Sequence, residues 1–424
     1  MRTHPKRHTP PGVKTPSYTK EARLRGLAWG PLLATKKQDP RATHQDTRRP
    51  LQRLLLASAA ALTLAAPALA GGCGGATDRI SQIDSLRVLA VVPAVLDKDH
   101  PTPDVAVTGS YANPGDKVTF SMSYYDGYVD PANPGADQPK PQILWLAGCY
   151  DPPGDTYYGC YSQLAEVLKN FDPANPDLNY VGFGPTFTTQ LPDDIISRRE
   201  KPSIGPYYGI AYVFFAVCAG TIKAIPPSGT GQAGSFPLGC FDEKGNQLNA
   251  DRFVPGYTQI YAFDDKRTNQ NPKVKGMHLF TSTGLDVSRQ ELTDDPTAAV
   301  SVSSCGVSED DRNAPPSCGK ADPLAECAVY TVDIDVDEDV AELDPDSTSA
   351  DGKPLKEVVW VDYFADKGDF TVDVKLVSDA TDGLLYTHSS KFIPPAESGL
   401  VTIWAVVHDA RGGSTVVTRY LRVE

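Results

Sequence analysis

The residues of this 424-residue chain that could do chemistry are few and scattered. Beyond residue 72 the histidines are His100, His278, His388 and His408. None has a partner at H-E-x-x-H spacing, and neither a G-x-S-x-G elbow nor a phosphate-cradling glycine loop occurs. His408 alternates with Val407 at the end of an apolar run and reads as a surface or strand-edge residue. Asp193 and Asp194, with Tyr157-Tyr158 and Tyr207-Tyr208, are a carboxylate pair of the kind that an acidic chain produces by composition alone. Catalysis is not expected, and a secreted hydrolase with a carboxylate site is the third of three readings.

Two other groups point to binding. Asp333-Ile334-Asp335-Val336-Asp337-Glu338-Asp339, with Asp344 and Asp346 beyond, has the D-x-D-x-D spacing of calcium ligation, which needs about six to eight oxygens. It lacks the glycine and the closing glutamate of an EF-hand loop. Alternation instead predicts a strand with Val332, Ile334 and Val336 inward and its aspartates solvated. No cofactor is expected on that reading. Calcium is the alternative, held at the loop end by Asp337, Asp339 and Asp344. The second group is aromatic: Tyr124, Tyr125, Tyr128, Tyr150, Tyr157, Tyr158 and Tyr161 lie near Trp145. Tyr150, Tyr157, Tyr158 and Tyr161 are the candidate ligand-binding residues, because tyrosine rings stack on sugars and are favoured at interfaces. The alternative is that they are core and ordinary loop residues.

Cysteines stand at Cys73, Cys149, Cys160, Cys218, Cys240, Cys305, Cys318 and Cys327. In an exported chain, neighbours that bracket a loop are natural partners. That pairs Cys149 with Cys160 and Cys218 with Cys240, and predicts Cys305 with Cys318, leaving Cys327 over. No C-x-x-C occurs, so the spacings do not suit zinc.

The elements that must position these residues are strands. β-branched and aromatic alternation, punctuated by Pro, Gly, Asn and Asp, runs through the chain. The pattern occurs twice. Gln142-Ile143-Leu144-Trp145-Leu146 is echoed by Glu357-Val358-Val359-Trp360-Val361, each with an alternating strand before it and a proline-closed strand after it. A long apolar strand then follows, 210–219 in one copy and 400–407 in the other. Leu164, Val167, Leu168 and Phe171 predict a short helix inside the first copy. A tryptophan packing from a central strand onto a facing sheet is the logic of an immunoglobulin-type sandwich. The end of the chain, Thr402 to Gly413 with its Asp409-x-x-Gly412 turn and a last strand, resembles the immunoglobulin-like and PKD-like modules of bacterial surface proteins. The expected fold is all-β: two tandem immunoglobulin-like sandwiches, residues 84–283, decorated with long loops and the helix, and residues 284–424. The resemblance implies spacers, adhesion units or binding platforms rather than an activity.

Before these lies an export signal. Arg48, Arg49 and Arg53 precede an apolar stretch, 54–66, too short to span a bilayer. Ala68-Leu69-Ala70 would suit release at Gly71, whereas Ala70-Gly71-Gly72-Cys73 resembles a bacterial lipobox, with Ala70 where that motif has Leu. Thr47-Arg48-Arg49 also resembles a twin-arginine export motif. The resulting division is a disordered leader or over-long start at 1–47, a signal peptide at 48–72, lipidation at Cys73 and a linker at 73–83. Residues 73–424 hold 27 lysines and arginines against 50 aspartates and glutamates, a formal charge of −23. That argues against nucleic acid. The membrane, through the anchor, and cell-surface proteins or glycans are the expected partners. The expected place is the cell envelope, at the outer membrane or cell surface, with free secretion as the alternative. The reading is a lipid-anchored structural or adhesion module, and second to it a carbohydrate- or ligand-binding surface lipoprotein.

Overall fold

Alternating apolar runs become strands throughout. The computed structural model describes residues 80–99, 106–129, 140–172, 174–203, 205–225, 236–283, 286–313 and 325–424. The expected leader and signal, residues 1–72, lie outside the described residues, as do Cys73 and Cys318. The fold is all-β, with short helices at α1 (Tyr161–Lys169), where the apolar spacing predicts one, and α2 (Glu309–Asn313).

The first half comprises β1 (Leu86–Leu96), β2 (Ala106–Thr108), β3 (Tyr111–Ala112), β4 (Lys117–Asp126), β5 (Gln142–Tyr150) and β6 (Val181–Phe183). It continues with β7 (Thr186–Gln190), β8 (Tyr208–Cys218), β9 (Thr221–Ala224), β10 (Leu238–Phe241) and β11 (Phe253–Phe263). These form a four-stranded sheet, β2-β1-β4-β7, a five-stranded sheet, β3-β11-β8-β5-β6, and a β9–β10 hairpin. The two larger sheets share a core in which Val118 and Phe120 meet Trp145, Val213, Phe215 and Ile260. Trp145 is fully buried among Phe120, Phe187 and Phe215. Its indole N–H donates to the Gly184 carbonyl at 2.8 Å, so burial leaves the ring's polar atom satisfied.

The second half starts earlier than the sequence predicts. Strand β12 (Val274–Thr283) pairs with β15 (Tyr330–Val336), which moves the expected boundary after residue 283 back to segment 264–273. The remaining strands are β13 (Asp286–Glu291), β14 (Val300–Val302), β16 (Leu343–Thr348), β17 (Pro354–Lys356), β18 (Val359–Ala365) and β19 (Asp369–Phe370). Then come β20 (Val374–Asp379), β21 (Gly383–Leu384), β22 (Ser390–Ile393), β23 (Gly399–Asp409) and β24 (Ser414–Val423). Their two large sheets, β13-β12-β15-β22-β19 and β14-β24-β23-β18-β20-β21, enclose Val332, Ile334, Phe392, Val361, Tyr363, Ile403 and Val407. The echo of the two tryptophans fails at this point. In β18 the inward residues are Val359, Val361, Tyr363 and Ala365, so parity turns Trp360 outward, where it stacks on His408 at 5.3 Å. Tyr363 takes the core position.

The two sandwiches are docked, not strung. Outward residues of β1 and β4 (Leu89, Ala90 and Tyr125) meet Trp404 and Val406 of β23 in a separate apolar cluster. Beside it, segment 264–273 is tied into both halves. Buried Asn269 donates from Nδ2 to the Ser110 hydroxyl at 2.7 Å and to Asp409 Oδ2 at 2.9 Å. Asn271 donates to the Pro93 carbonyl at 2.9 Å and accepts from the Ser414 amide at 3.1 Å. Arg411 pairs with Glu357 at 2.6 Å and Glu342 at 2.9 Å. The Asp409 turn needs its glycine: a Cβ on Gly413 would meet Asp409 Oδ2 at 2.1 Å. Residues 80–83, expected to be linker, instead form a strap across the second sandwich. Ser81 accepts from the Ala365 amide at 2.8 Å, and the Ile83 amide donates to the Ala365 carbonyl at 2.9 Å. The Ile83 side chain is buried in the apolar cluster between the sandwiches.

Candidate functional site

A dense group of polar and aromatic side chains lies on the outer face of the five-stranded sheet. Strand β8 is apolar on both faces. Ala211, Val213, Phe215 and Val217 enter the sandwich core, while Ile210, Tyr212, Phe214 and Ala216 face outward. Leu164 of α1 packs onto that outer face, and the Cys149–Cys160 bridge fixes the start of the helix to the end of β5. The loop between them is lashed to β8. The Ile210 amide donates to Asp151 Oδ1 at 2.8 Å, and the Ile210 carbonyl accepts from the Asp151 amide at 2.9 Å. The Tyr208 hydroxyl donates to the Asp155 carboxylate at 2.7 Å and the Tyr212 hydroxyl to the Asp155 carbonyl at 2.8 Å. Arg199 spans both aspartates, 3.4 Å from Asp151 and 2.9 Å from Asp155, with its guanidinium 4.4 Å from the Tyr208 ring centre.

Asp151 and Asp155 hold positive φ values of 46° and 52°, a conformation that side chains disfavour and that surrounding bonds must enforce. Their carboxyls lean in opposite directions. Burial pushes Asp151 above its ordinary value, against the Ile210 amide and Arg199. Burial acts the same way on Asp155, but hydrogen bonds from Arg199 and Tyr208 outweigh it and hold that carboxyl below the usual range.

This loop sets out the tyrosines. Tyr157 stacks on Tyr257 of β11, with ring centres 4.6 Å apart and planes 18° apart. Tyr158 and Tyr161 meet Tyr157 edge-on, at 5.6 and 6.3 Å. Tyr157 is 38% exposed and Tyr158 60%. Tyr150 stands apart from the other three predicted residues. It packs against the sandwich core, Arg198 lies 5.8 Å from its ring centre, and burial pushes its hydroxyl up to about 12. Sequence reasoning missed Tyr212, Tyr257 and Tyr261, and grouped Tyr208 with Asp193 and Asp194 where the structure sets it against Asp155. Tyr208 and Tyr212, like Tyr257 and Tyr261, are spaced four apart within a strand, so both members of each pair share a face, and that spacing was the available signal.

The remaining candidates fall elsewhere. Asp193 pairs with Lys98 at 3.0 Å and Asp194 with Arg198 at 2.7 Å; the carboxylates that approach the tyrosines are Asp151 and Asp155. Asp337 pairs with Lys275, and Asp344 accepts from the Asp346 amide at 2.9 Å and the Ser347 hydroxyl at 2.7 Å. No group of three or more acidic, histidine or cysteine side chains that could hold a metal ion occurs among the described residues. Asp337, Asp339 and Asp344 are not brought together as such a group. His408 lies 3.3 Å from Asp362 and 2.8 Å from the Ser414 hydroxyl. Ser414 is buried and its amide is engaged by Asn271. An apolar groove of about 580 Å³ lies beyond the far end of α1, lined by Ile143, Leu144, Leu168, Phe171, Phe183 and Ile222.

Cys149 joins Cys160, and Cys218 joins Cys240. The third bridge corrects the expected pairing: Cys305 joins Cys327 instead of Cys318. The Gly306 amide donates to the Glu326 carbonyl at 3.1 Å, and this aligns the two cysteine segments side by side. Three disulfides mark an oxidising, extracellular-type environment. No helix among the described residues is long and apolar enough to cross a membrane.

No protein-family model matches the chain, and no curated protein matches it. Among solved structures it is similar to the D00–D0 domain of intimin, at 8% identity and a TM-score of 0.17, covering 78% of this chain and 99% of that one. It is also similar to a β-glucuronidase of Parabacteroides merdae, at 8% identity and a TM-score of 0.15, covering 79% of this chain and 24% of the enzyme. At these TM-scores neither likeness carries an argument about fold or activity.

Proposed function

We propose that this protein is a non-catalytic module displayed outside the cytoplasm on a lipid anchor at Cys73, serving as a rigid structural or adhesion unit. We read its two sandwiches as immunoglobulin-like. The observation that carries the proposal is the junction. Trp404 and Val406 pack on Leu89 and Tyr125, and Asn269 bonds to both halves, so the sandwiches form a single body able to hold a surface at a fixed distance and angle. The disulfides suit such exposure. The test is the intact mass of protein extracted from the native membrane fraction, beside a Cys73→Ala variant. A diacylglyceryl-modified Cys73 at the N-terminus, with the variant released to the soluble fraction, is the expected result. An unmodified N-terminus at Gly71 overturns the anchor.

A second reading, binding of a ligand through the tyrosine face, is favoured by one arrangement. Tyr157 and Tyr158 stay exposed although their loop is bridged by Cys149–Cys160 and lashed to β8. Rings held in place in this way lose little entropy on binding. Saturable binding that Tyr158→Ala removes without lowering Tm is the expected outcome of that reading.

A further inference from the structure

We infer that the tyrosine face binds an uncharged carbohydrate chain, a conclusion that rests on the second reading above and names its ligand class. Three observations converge on it. First, the surface is made of ring faces and edges. Tyr157 lies parallel to Tyr257, at 18°, while Tyr158 and Tyr161 stand at 75° and 77° to Tyr157. The C–H faces of a sugar ring pack against aromatic rings, which present large apolar area at low conformational cost.

Second, the hydroxyls on this surface are available. Tyr208 and Tyr212, deeper on the sheet, commit their hydroxyls to Asp155. The hydroxyls of Tyr157, Tyr158, Tyr161 and Tyr257 have no hydrogen-bond partner among the described residues. A purely apolar ligand would strip water from four phenols and return nothing, which is costly. A polyhydroxylated ligand replaces those water contacts with donors and acceptors of its own.

Third, the electrostatics refuse an anion. The cation beside the cluster, Arg199, is held by two carboxylates, Asp155 at 2.9 Å and Asp151 at 3.4 Å. The chain beyond residue 72 carries a formal charge of −23, with 27 basic and 50 acidic residues. An acidic polysaccharide would meet repulsion from the net charge of the protein, and beside these rings an arginine already held by two carboxylates. Carbohydrate chemistry without charge is the class that satisfies rings, hydroxyls and field together.

The experiment is affinity measurement by calorimetry on the purified mature protein. The probes are soluble hexasaccharides of β-1,4-glucan, β-1,3-glucan, xylan and mannan, with hyaluronan and polygalacturonate as charged counterparts. Saturable binding of at least one neutral hexasaccharide is expected. Tyr157→Ala should weaken it tenfold or more, and Tyr158→Phe, which keeps the ring and removes the hydroxyl, by a smaller factor. Tyr386→Ala, on the second sandwich and 78% exposed in the parent, serves as the control that leaves affinity unchanged. Thermal melts of each variant separate lost binding from lost folding. Failure of every neutral probe overturns the assignment, and so does neutral binding indifferent to Tyr157 and Tyr158. Binding of the charged polymers alone, still dependent on Tyr157, overturns the ligand class while leaving the tyrosine face a binding surface. Binding of neither class in a tyrosine-dependent way removes both.

Discussion

At the residue scale, the junction depends on a side chain that no local pattern marks. Asn269 is buried, and its amide group donates to Ser110 and Asp409. Replacing it with alanine takes the donor from Asp409 Oδ2 and leaves Ser110 only its bond to the Arg411 carbonyl, and unmet buried polar groups cost about 1–3 kcal/mol. Asn269→Asp is expected to be worse at neutral pH, on the order of 3–5 kcal/mol, because it buries a second carboxylate against Asp409. Urea melts should rank wild type above Asn269→Ala above Asn269→Asp, with the last two converging as acid protonates the new carboxyl. Asp366 offers the opposite dependence. Burial pushes its carboxyl up, against the Thr402 amide that it accepts at 2.8 Å and the Tyr125 hydroxyl of the other sandwich. A carboxyl raised in the folded state is penalised while ionised, and the penalty is relieved as pH falls through its folded value. The folded chain then takes up its proton before the unfolded chain does. Wild type should therefore gain stability relative to Asp366→Asn as pH falls from neutrality towards the ordinary carboxylate range. A flat difference across that window in chemical melts would refute the assignment.

At the element scale, the strap at 80–83 leads by sequence into the first sandwich and hydrogen-bonds to the second. It runs past Ala365 at the end of β18, and the Phe370 amide donates to the Ser81 hydroxyl at 3.3 Å. Ile83 is 1% exposed. Truncating a buried isoleucine to alanine costs about 2–5 kcal/mol, set by how far the surroundings collapse. Ile83→Ala is expected to lose stability in that range and to raise hydrogen exchange at both Ala365 and Leu89. A change confined to the strap itself would show that it does not support the junction. The strap also accounts for the short reach of sequence reasoning here. Residues 73–83 carry no long alternation, and the partners of Ser81 and Ile83 lie almost 300 positions away, so nothing local distinguishes a clamp from a linker.

At the scale of the whole molecule, the question is whether there is one folding unit or two. Separate modules on a tether would melt independently. Here the rings of Tyr125 and Trp404 sit 4.8 Å apart between the sandwiches, and Asn269 and Asn271 each bond to both halves. Calorimetry is expected to give one transition whose van't Hoff and calorimetric enthalpies agree. Trp404→Ala should split or broaden it, since an aromatic truncation of this kind costs about 3–5 kcal/mol. Two resolved transitions in the parent protein would mean that the junction does not couple the halves.

What the amino-acid sequence determined by itself was everything with a short period or a short span. Alternation marked the strands, including Val332 and Ile334 inward, although Asp333, expected to be solvated, is half-buried 3.2 Å from His388. Helical spacing marked α1, and loop-bracketing neighbours marked the bridges at Cys149–Cys160 and Cys218–Cys240. The tyrosines of one loop, 157, 158 and 161, were legible as a group for the same reason. Parity was legible too at β18, where Val359, Val361 and Tyr363 alternate, but the likeness of Trp360 to Trp145 outweighed it. Tertiary structure alone decided that Cys305 meets Cys327, that β12 joins the second sandwich, and that Tyr257 comes under Tyr157. It also decided that Asn269 ties the halves together. Apart from the cysteine pair, which spans the same 22 residues as Cys218–Cys240, these are contacts between distant segments, each set by how whole sheets pack, and a pairing of that kind leaves no periodic trace in the chain on either side of it.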